Sequence, residues 1–350
     1  MTGPDQVRTL GAADENDAAP IRHVIDLITG AWRTQAVHAA VRLDLPDHVR
    51  DGHRSDEALA DRTETGVDHI GRLMSLLVAL GLFERDTERQ YQLTDAGAQL
   101  LRDAPGSLRD MCLLHGEEFY AAWGHAHDAV AGEKTTGFAL AYGQECYAYL
   151  QEHNDVAKRF QRALRASNQV VCDAAPHALD FAGKRIIDVG GGNGALLAAV
   201  LRAVPDATGQ LVDLPHMAEI AKGELADFLG DRAEVRSGDM FESVPEGGDV
   251  YLLSRVLGDW GDEDCERILT NCRRAMSASS RLIVIERFVT DRPGMLLPQL
   301  WDVHLMVING GRQRIFTGVE QLVERAGFRL AETVDLPLET TALVLEPSGA

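Results

Sequence analysis

Lys184-Arg185-Ile186-Ile187-Asp188-Val189-Gly190-Gly191-Gly192-Asn193-Gly194 is an apolar run that stops abruptly in glycine. A run of this length bounded by glycine predicts a buried strand over Lys184–Val189. Ala195–Val204 behind it has helical composition, so the glycines form a strand-to-helix turn. Without Cβ atoms, Gly190, Gly192 and Gly194 let the backbone approach a ligand closely. Open α/β sheets bind their ligands at this end of a strand. The alternation continues downstream. Strands are predicted at Gly209–Leu214, Ala233–Ser237, Asp249–Ser254 and Arg281–Phe288, with helices at Met217–Leu229 and Asp262–Ala275. Such alternation predicts a parallel sheet with helices on both faces. Phe328–Val334 and Thr341–Glu346 read as a closing pair of strands.

The ligand class follows from acids placed after the strands. Asp213 ends the second strand, about twenty residues past the loop, where a carboxylate accepts from ribose hydroxyls. Gly190-x-Gly192-x-x-Ala195 also fits the relaxed dinucleotide fingerprint, so glycines and one acid do not separate NAD from other nucleosides. Asp239 follows the third strand, where it accepts from an adenine amino group while Met240 packs on the ring. The chain also has strands for about one sheet, with no second nucleotide-binding half. Both features favour S-adenosylmethionine.

Upstream, the pattern is helical. Residues 21–43 carry apolar positions at helical spacing and close at Leu43-Asp44-Leu45-Pro46. Ser55 is an N-cap candidate for a short helix, and residues 67–80 form a second, stopped by Gly81. Phe83 to Leu93 reads as two short strands around a polar turn, with another helix from Thr94. Helix, helix and hairpin make a winged-helix pattern. Between Arg54 and Leu101, however, five Lys/Arg face nine Asp/Glu, and the whole chain carries a net charge of −20. Phosphate contacts supply most DNA affinity, so a regulator or other nucleic-acid binder is disfavoured. The domains expected are a disordered leader over 1–19, a helical domain over 20–180 and a nucleoside-binding domain over 181–350. No basic stretch followed by an apolar run opens the chain, and no apolar run has bilayer length, so a cytoplasmic protein is expected. Five scattered cysteines without ligand spacing read as free thiols, and no metal site is expected.

Taken together the motifs resemble the plant caffeate-type and bacterial natural-product O-methyltransferase family, from about residue 20 to 346. They are Asp188–Gly194, Val212-Asp213-Leu214-Pro215, Gly238-Asp239-Met240-Phe241, Val256-Leu257-Gly258-Asp259-Trp260 with Asp262-Glu263, Glu286 after Ile283-Val284-Ile285, and Gly310-Gly311-Arg312-Gln313-Arg314. The resemblance implies an α/β fold: a C-terminal Rossmann-like methyltransferase sheet and a mainly helical, winged-helix-containing N-terminal dimerisation domain. It implies a homodimer acting on an aromatic or polyketide-like small molecule, with that N-terminal domain helping to build the substrate pocket. Carried over, Gly190, Gly192, Gly194, Asp213, Leu214, Asp239, Met240 and Ser254 hold S-adenosylmethionine, and Trp260 packs near its adenine.

The pattern departs from the family at the expected base. O-methylating members usually place a histidine before the Asp-Trp pair; here Gly258 stands there and has no titratable group. A second acid of the family is Gln313, and Ser254 stands where many members have lysine. Glu286, which would orient the histidine, remains. One reading is O-methylation by proximity alone, or with His115, His304, Asp259 or Asp302 as substitute. Others are C- or N-methylation, or a reaction without methyl transfer such as decarboxylation, hydroxylation or a pericyclic step. Substrate contacts are expected from His115, Phe119, Tyr120 and Trp123 in one helical stretch, from Phe138, Tyr142, Phe160 and Asn168, and from Trp301, His304, Met306 and Asn309. His125 and His127 are expected on a solvated face.

Overall fold

The computed structural model describes residues 12–132, 135–292 and 294–349, with side chains from residue 18 onward. The chain forms two compact units, divided between Glu117 and Glu118.

The first unit runs α1 (Ala12–Ile28), α2 (Gly30–Arg42), α3 (Leu45–Arg50), α4 (Asp56–Thr63), α5 (Val67–Ala79), β1 (Phe83–Arg85), β2 (Tyr91–Leu93), α6 (Asp95–Ala98) and α7 (Arg109–Gly116). The Ser55 hydroxyl accepts from the Ala58 N–H at 3.2 Å and starts α4 as expected. Gly81 ends the α5 stretch at φ +75°. Leu45, Leu59, Ile70, Met74, Leu77, Phe83 and Tyr91 form the buried core of this unit.

Several local expectations change. The run over 21–43 is two helices broken at Thr29. Leu45-Pro46 opens α3 rather than closing α2, because proline in a first helical turn forfeits no hydrogen bond. Residues 12–19, expected in the leader, already belong to α1, in a stretch rich in alanine and acidic residues. Residues 1–11 of that leader lie outside the described residues.

The second unit opens with α8 (Glu118–Trp123), α9 (Ala126–Ala131), α10 (Gly137–Tyr142), α11 (Cys146–Glu152) and α12 (Asn154–Ala178). The sheet follows: β3 (Arg185–Val189), α13 (Ala195–Ala203), β4 (Thr208–Asp213), α14 (Pro215–Glu224), β5 (Ala233–Ser237), β6 (Val250–Ser254), α15 (Asp262–Ala275) and β7 (Arg281–Glu286). It closes with α16 (Leu297–Ile308), α17 (Phe316–Arg325), β8 (Phe328–Leu336) and β9 (Thr340–Pro347). The compact units divide between Glu117 and Glu118, and the seven-stranded sheet begins with β3 at Arg185.

The strand order is β5-β4-β3-β6-β7-β9-β8. Pairing is parallel from β5 to β7, and β9 and β8 join antiparallel. The last strand returns between β7 and β8, so the closing pair is a hairpin whose second arm is inside the sheet. Strand alternation divides the core between the two faces. Ile186, Leu252 and Ile285 pack with α12 and α13 on one face, while Ile187, Leu253 and Val284 pack with α15 and α17 on the other. Chain order runs from β3 outward to β4 and β5, then returns to β6 beside β3. Ligands of open α/β sheets sit at such a reversal, off the carboxyl ends of the strands.

Candidate functional site

The loop Gly190–Gly194 lies at that reversal. Gly190 has φ +67°, and a Cβ there would lie 3.1 Å from Val256 Cγ2. Gly192 has φ +59° and nothing within 4 Å of its Cβ position, so the loop turns an open side outward. Asp213 fastens the loop: Oδ2 accepts from the Gly192 N–H at 2.8 Å, and Oδ1 from the Leu214 N–H at 2.7 Å. Each carboxylate oxygen keeps a lone pair for another donor. Beneath the loop Asp188 is buried, and neither of its oxygens has a hydrogen-bond partner among the described residues. Burial, reinforced by the Asp213 charge, pushes its carboxyl up to about 7.

The third strand contributes the other side. Asp239 Oδ1 accepts from the Phe241 N–H at 2.8 Å and shapes the turn that presents Met240. The Met240 sulfur lies 3.5 Å from the Gly190 Cβ position, so these two motifs meet. Asn271 on α15 donates to the carbonyls of Met240 and Phe241, at 2.9 and 3.0 Å. The Trp260 and Phe241 rings meet edge to face at 4.8 Å. Leu214 is exposed beside Asp213, and Ser254 ends β6.

Gly258 and Glu286 face each other across the ends of β6 and β7. Glu286 is 3 % exposed. Its Oε1 accepts from the Gly258 N–H at 3.4 Å, and its Oε2 has no hydrogen-bond partner among the described residues. Burial pushes this carboxyl up to about 7, opposed by the Arg255 cation and aided by the Asp259 charge. The Cβ position of Gly258 lies 3.7 Å from Glu286 Oε2 and meets nothing else within 4 Å. Asp259 is exposed; desolvation pushes its carboxyl up, opposed by the Arg255 cation.

His304 on α16 is 8 % exposed, and its Nδ1 accepts from the Trp123 indole N–H at 3.1 Å. With that lone pair engaged, the neutral ring carries its proton on Nε2, which makes it a donor rather than a base. Phe119 and Trp301 meet its ring edge-on at 5.0 and 5.1 Å, and Phe160 extends the cluster from Phe119 at 6.3 Å. Met306 is half-buried on the same helix. Asn309 caps α16 and donates to the Tyr147 hydroxyl at 3.4 Å. Asn168 Oδ1 accepts from Arg255 at 3.3 Å.

Other candidates are engaged elsewhere. His115 lies on α7 of the first unit, its Nδ1 donating to the Met111 carbonyl at 2.9 Å, and burial lowers its pKa. Glu117, with φ −115° and ψ −94°, breaks the stretch over 111–123 into α7 and α8, so the helical spacing expected there is interrupted. Asp302 accepts from the Gln313 N–H at 2.7 Å. Phe138 is buried against Tyr142 and Tyr149, and Tyr120 is exposed. His125 and His127 pair with Asp128 on an exposed face. The five cysteines are free thiols, and the described residues hold no His/Cys/Asp/Glu group fit for a metal.

Sequence reading passed over Arg255, Tyr147, Asn271 and Arg314. Arg314 donates to the Leu257 and Trp260 carbonyls and to Asp262, which holds the Gly258 segment in place. Its motif was visible, but its partners more than fifty residues away were not.

An O-methyltransferase domain model matches residues 123–329, and an O-methyltransferase dimerisation domain model matches residues 25–103. The chain belongs to the O-methyltransferase family. Phenazine-1-carboxylate N-methyltransferase of Pseudomonas aeruginosa is 41% identical over 332 residues, covering 95% of this chain and 98% of that protein. The 3-amino-4-hydroxybenzoate 4-O-methyltransferase of Streptomyces cremeus is 40% identical over 323 residues, covering 91% and 88%. Among solved structures, the pyocyanin biosynthetic protein PhzM superposes with a TM-score of 0.88 at 41% identity, covering 94% of this chain and 99% of that one. The protein is thus an S-adenosylmethionine-dependent methyltransferase of this family, with its dimerisation module and its Rossmann-like sheet. No described helix is long and apolar enough to cross a membrane.

Proposed function

We propose that this enzyme methylates a ring nitrogen of a small aromatic carboxylic acid, and works as a cytoplasmic homodimer. One observation carries the choice of acceptor: Gly258 offers no titratable side chain beside the buried Glu286. An aromatic ring nitrogen presents its lone pair without losing a proton, so no general base is needed. A phenol must first be ionised. The acid class rests on the relatives whose names specify aromatic carboxylates, one methylated on nitrogen and one on oxygen.

When bound, S-adenosylmethionine supplies an electrophilic methyl carbon, whose bond to sulfur breaks as the bond to nitrogen forms. The chain supplies placement, which accounts for much of the barrier reduction in such displacements. Gly190, Gly192 and Gly194 admit the cofactor, with Leu214 and Ser254 beside it. Asp213 would take the ribose hydroxyls on its remaining lone pairs. Asp239 would take the adenine amino group, with Met240 and Trp260 beside the ring. Phe119, Trp123, Phe160, Trp301, His304 and Met306 hold a flat ring. Asn168 and Asn309 donate to its polar edge. Glu286 keeps the Gly258 segment in register through the Gly258 N–H. Asp259 and His304 act here as surroundings of the acceptor rather than as bases.

Methyl-labelled S-adenosylmethionine with phenazine-1-carboxylate and 3-amino-4-hydroxybenzoate tests this directly. An N-methylated product with one equivalent of S-adenosylhomocysteine is expected. Product formed without S-adenosylhomocysteine, or methyl found only on oxygen, would overturn it. Dimer formation draws support from the exposed apolar side chains Ile21, Val24, Ile25 and Ile28 of α1 and Trp32 of α2. Sedimentation of the Ile25→Glu, Ile28→Glu variant should give a monomer; an unchanged dimer would place the interface elsewhere.

A further inference from the structure

Arg255 follows the last residue of β6 and is unusual in three respects. Its φ is +57°, a left-handed conformation that a non-glycine residue rarely holds. Its N–H donates to the Ile285 carbonyl at 3.0 Å, so β7 holds the strained residue in place. Such strain persists where the surrounding structure over-determines it, and it clusters at ligand sites. The second respect is its partners. The guanidinium has five N–H donors, yet among the described residues it makes one hydrogen bond, to Asn168, and an ion pair with Glu286 at 3.7 Å. The third is access: the side chain is 27% exposed, beside Gly258 and Asp259.

Neighbouring cations are committed. Arg287 is buried, donates to the Leu338 carbonyl at 3.1 Å and lies over the Trp301 ring. Arg314 is spent on the Leu257 and Trp260 carbonyls and Asp262. Among the described residues, the charges acting on Arg255 are the carboxyls of Glu286 and Asp259 and the Arg287 cation, and of these only Glu286 forms an ion pair with it.

We infer that Arg255 receives a ligand carboxylate at the carboxyl end of β6, its guanidinium presented by the strained backbone and steadied by Asn168. Two ligands carry one: the aromatic acid and the methionine end of the cofactor. The identity of these ligands rests on the proposed function.

Binding to the full-length protein is measured by calorimetry with four probes: phenazine-1-carboxylate, phenazine-1-carboxamide, S-adenosylmethionine and decarboxylated S-adenosylmethionine. Arg255→Gln should weaken one carboxylate probe at least tenfold and leave its uncharged or decarboxylated counterpart within about twofold. Loss for the phenazine acid identifies the substrate as the source, and loss for the cofactor identifies the methionine carboxylate. Arg255→Lys should recover part of the loss, because charge survives without the planar fork. Equal weakening of a probe and its counterpart, or no weakening, overturns the inference. So does rescue of Arg255→Gln by adding Glu286→Gln, which would make Arg255 only a counter-ion for that buried acid. If the parent enzyme transfers no methyl group, the proposed function falls, and the probe pairs still decide the role of Arg255.

Discussion

Replacing Asp213 by alanine removes two acceptors at once. Its oxygens hold the N–H groups of Gly192 and Leu214 at 2.8 and 2.7 Å. Hydrogen bonds to a charged group contribute about 1.5–3 kcal/mol each. The carboxylate is half-buried, so water replaces part of what is lost and the lower value applies. Freeing the Gly192 N–H releases the loop and costs about 1.5 kcal/mol of cofactor affinity, roughly tenfold. Loss of the acceptor for ribose hydroxyls adds a similar amount, for about 100-fold in all. Calorimetric titration of S-adenosylhomocysteine into parent and Asp213→Ala protein measures this. Asp213→Asn retains one carbonyl acceptor and should fall between them. Affinity within threefold of the parent, with an unchanged circular dichroism spectrum, would refute both the loop-fastening role and the ribose assignment.

Three other outcomes follow from the same geometry. Gly191→Ala would place a Cβ 2.6 Å from Asp188 Oδ2 and 2.7 Å from Leu211 Cδ1; overpacking of that kind costs about 1–3 kcal/mol, read as a lower urea midpoint. Asp188 and Glu286 have carboxyls raised from 3.8 and 4.5 to about 7. The folded state therefore binds more protons than the unfolded one, and their contribution favours folding below about pH 4 and is lost as pH rises towards 7. Asp188→Asn or Glu286→Gln should flatten that decline in urea unfolding across the window; slopes identical to the parent would contradict the assignment. Gly258→His has room, since its Cβ position meets only Glu286 Oε2, at 3.7 Å. It should unfold within about 1 kcal/mol of the parent and should depress transfer to the phenazine nitrogen, measured with the labelled donor; undiminished transfer would mean that the space beside Gly258 is not occupied by substrate.

The sequence alone determined the α/β class, the strand-to-helix glycine turn and the acids after β4 and β5. These are local properties: apolar runs of strand length, glycine where backbone must turn, and carboxylates at strand ends. The helix over Asp262–Ala275 and the strand over Ala233–Ser237 fall where periodicity places them. Only the tertiary structure decided which groups meet. The Trp123 indole fills the Nδ1 lone pair of His304 from 181 residues away, which turns a base candidate into a donor. Asn271 braces the Met240 turn from 31 residues away. The left-handed backbone of Arg255 is imposed by β7, and no residue type announces it. The return of β9 between β7 and β8 is likewise a matter of pairing. Hydrophobic period and turn chemistry act over a few residues, so they specify elements. The partner of a buried polar group is set by which elements pack together, and that appears only once the chain is folded.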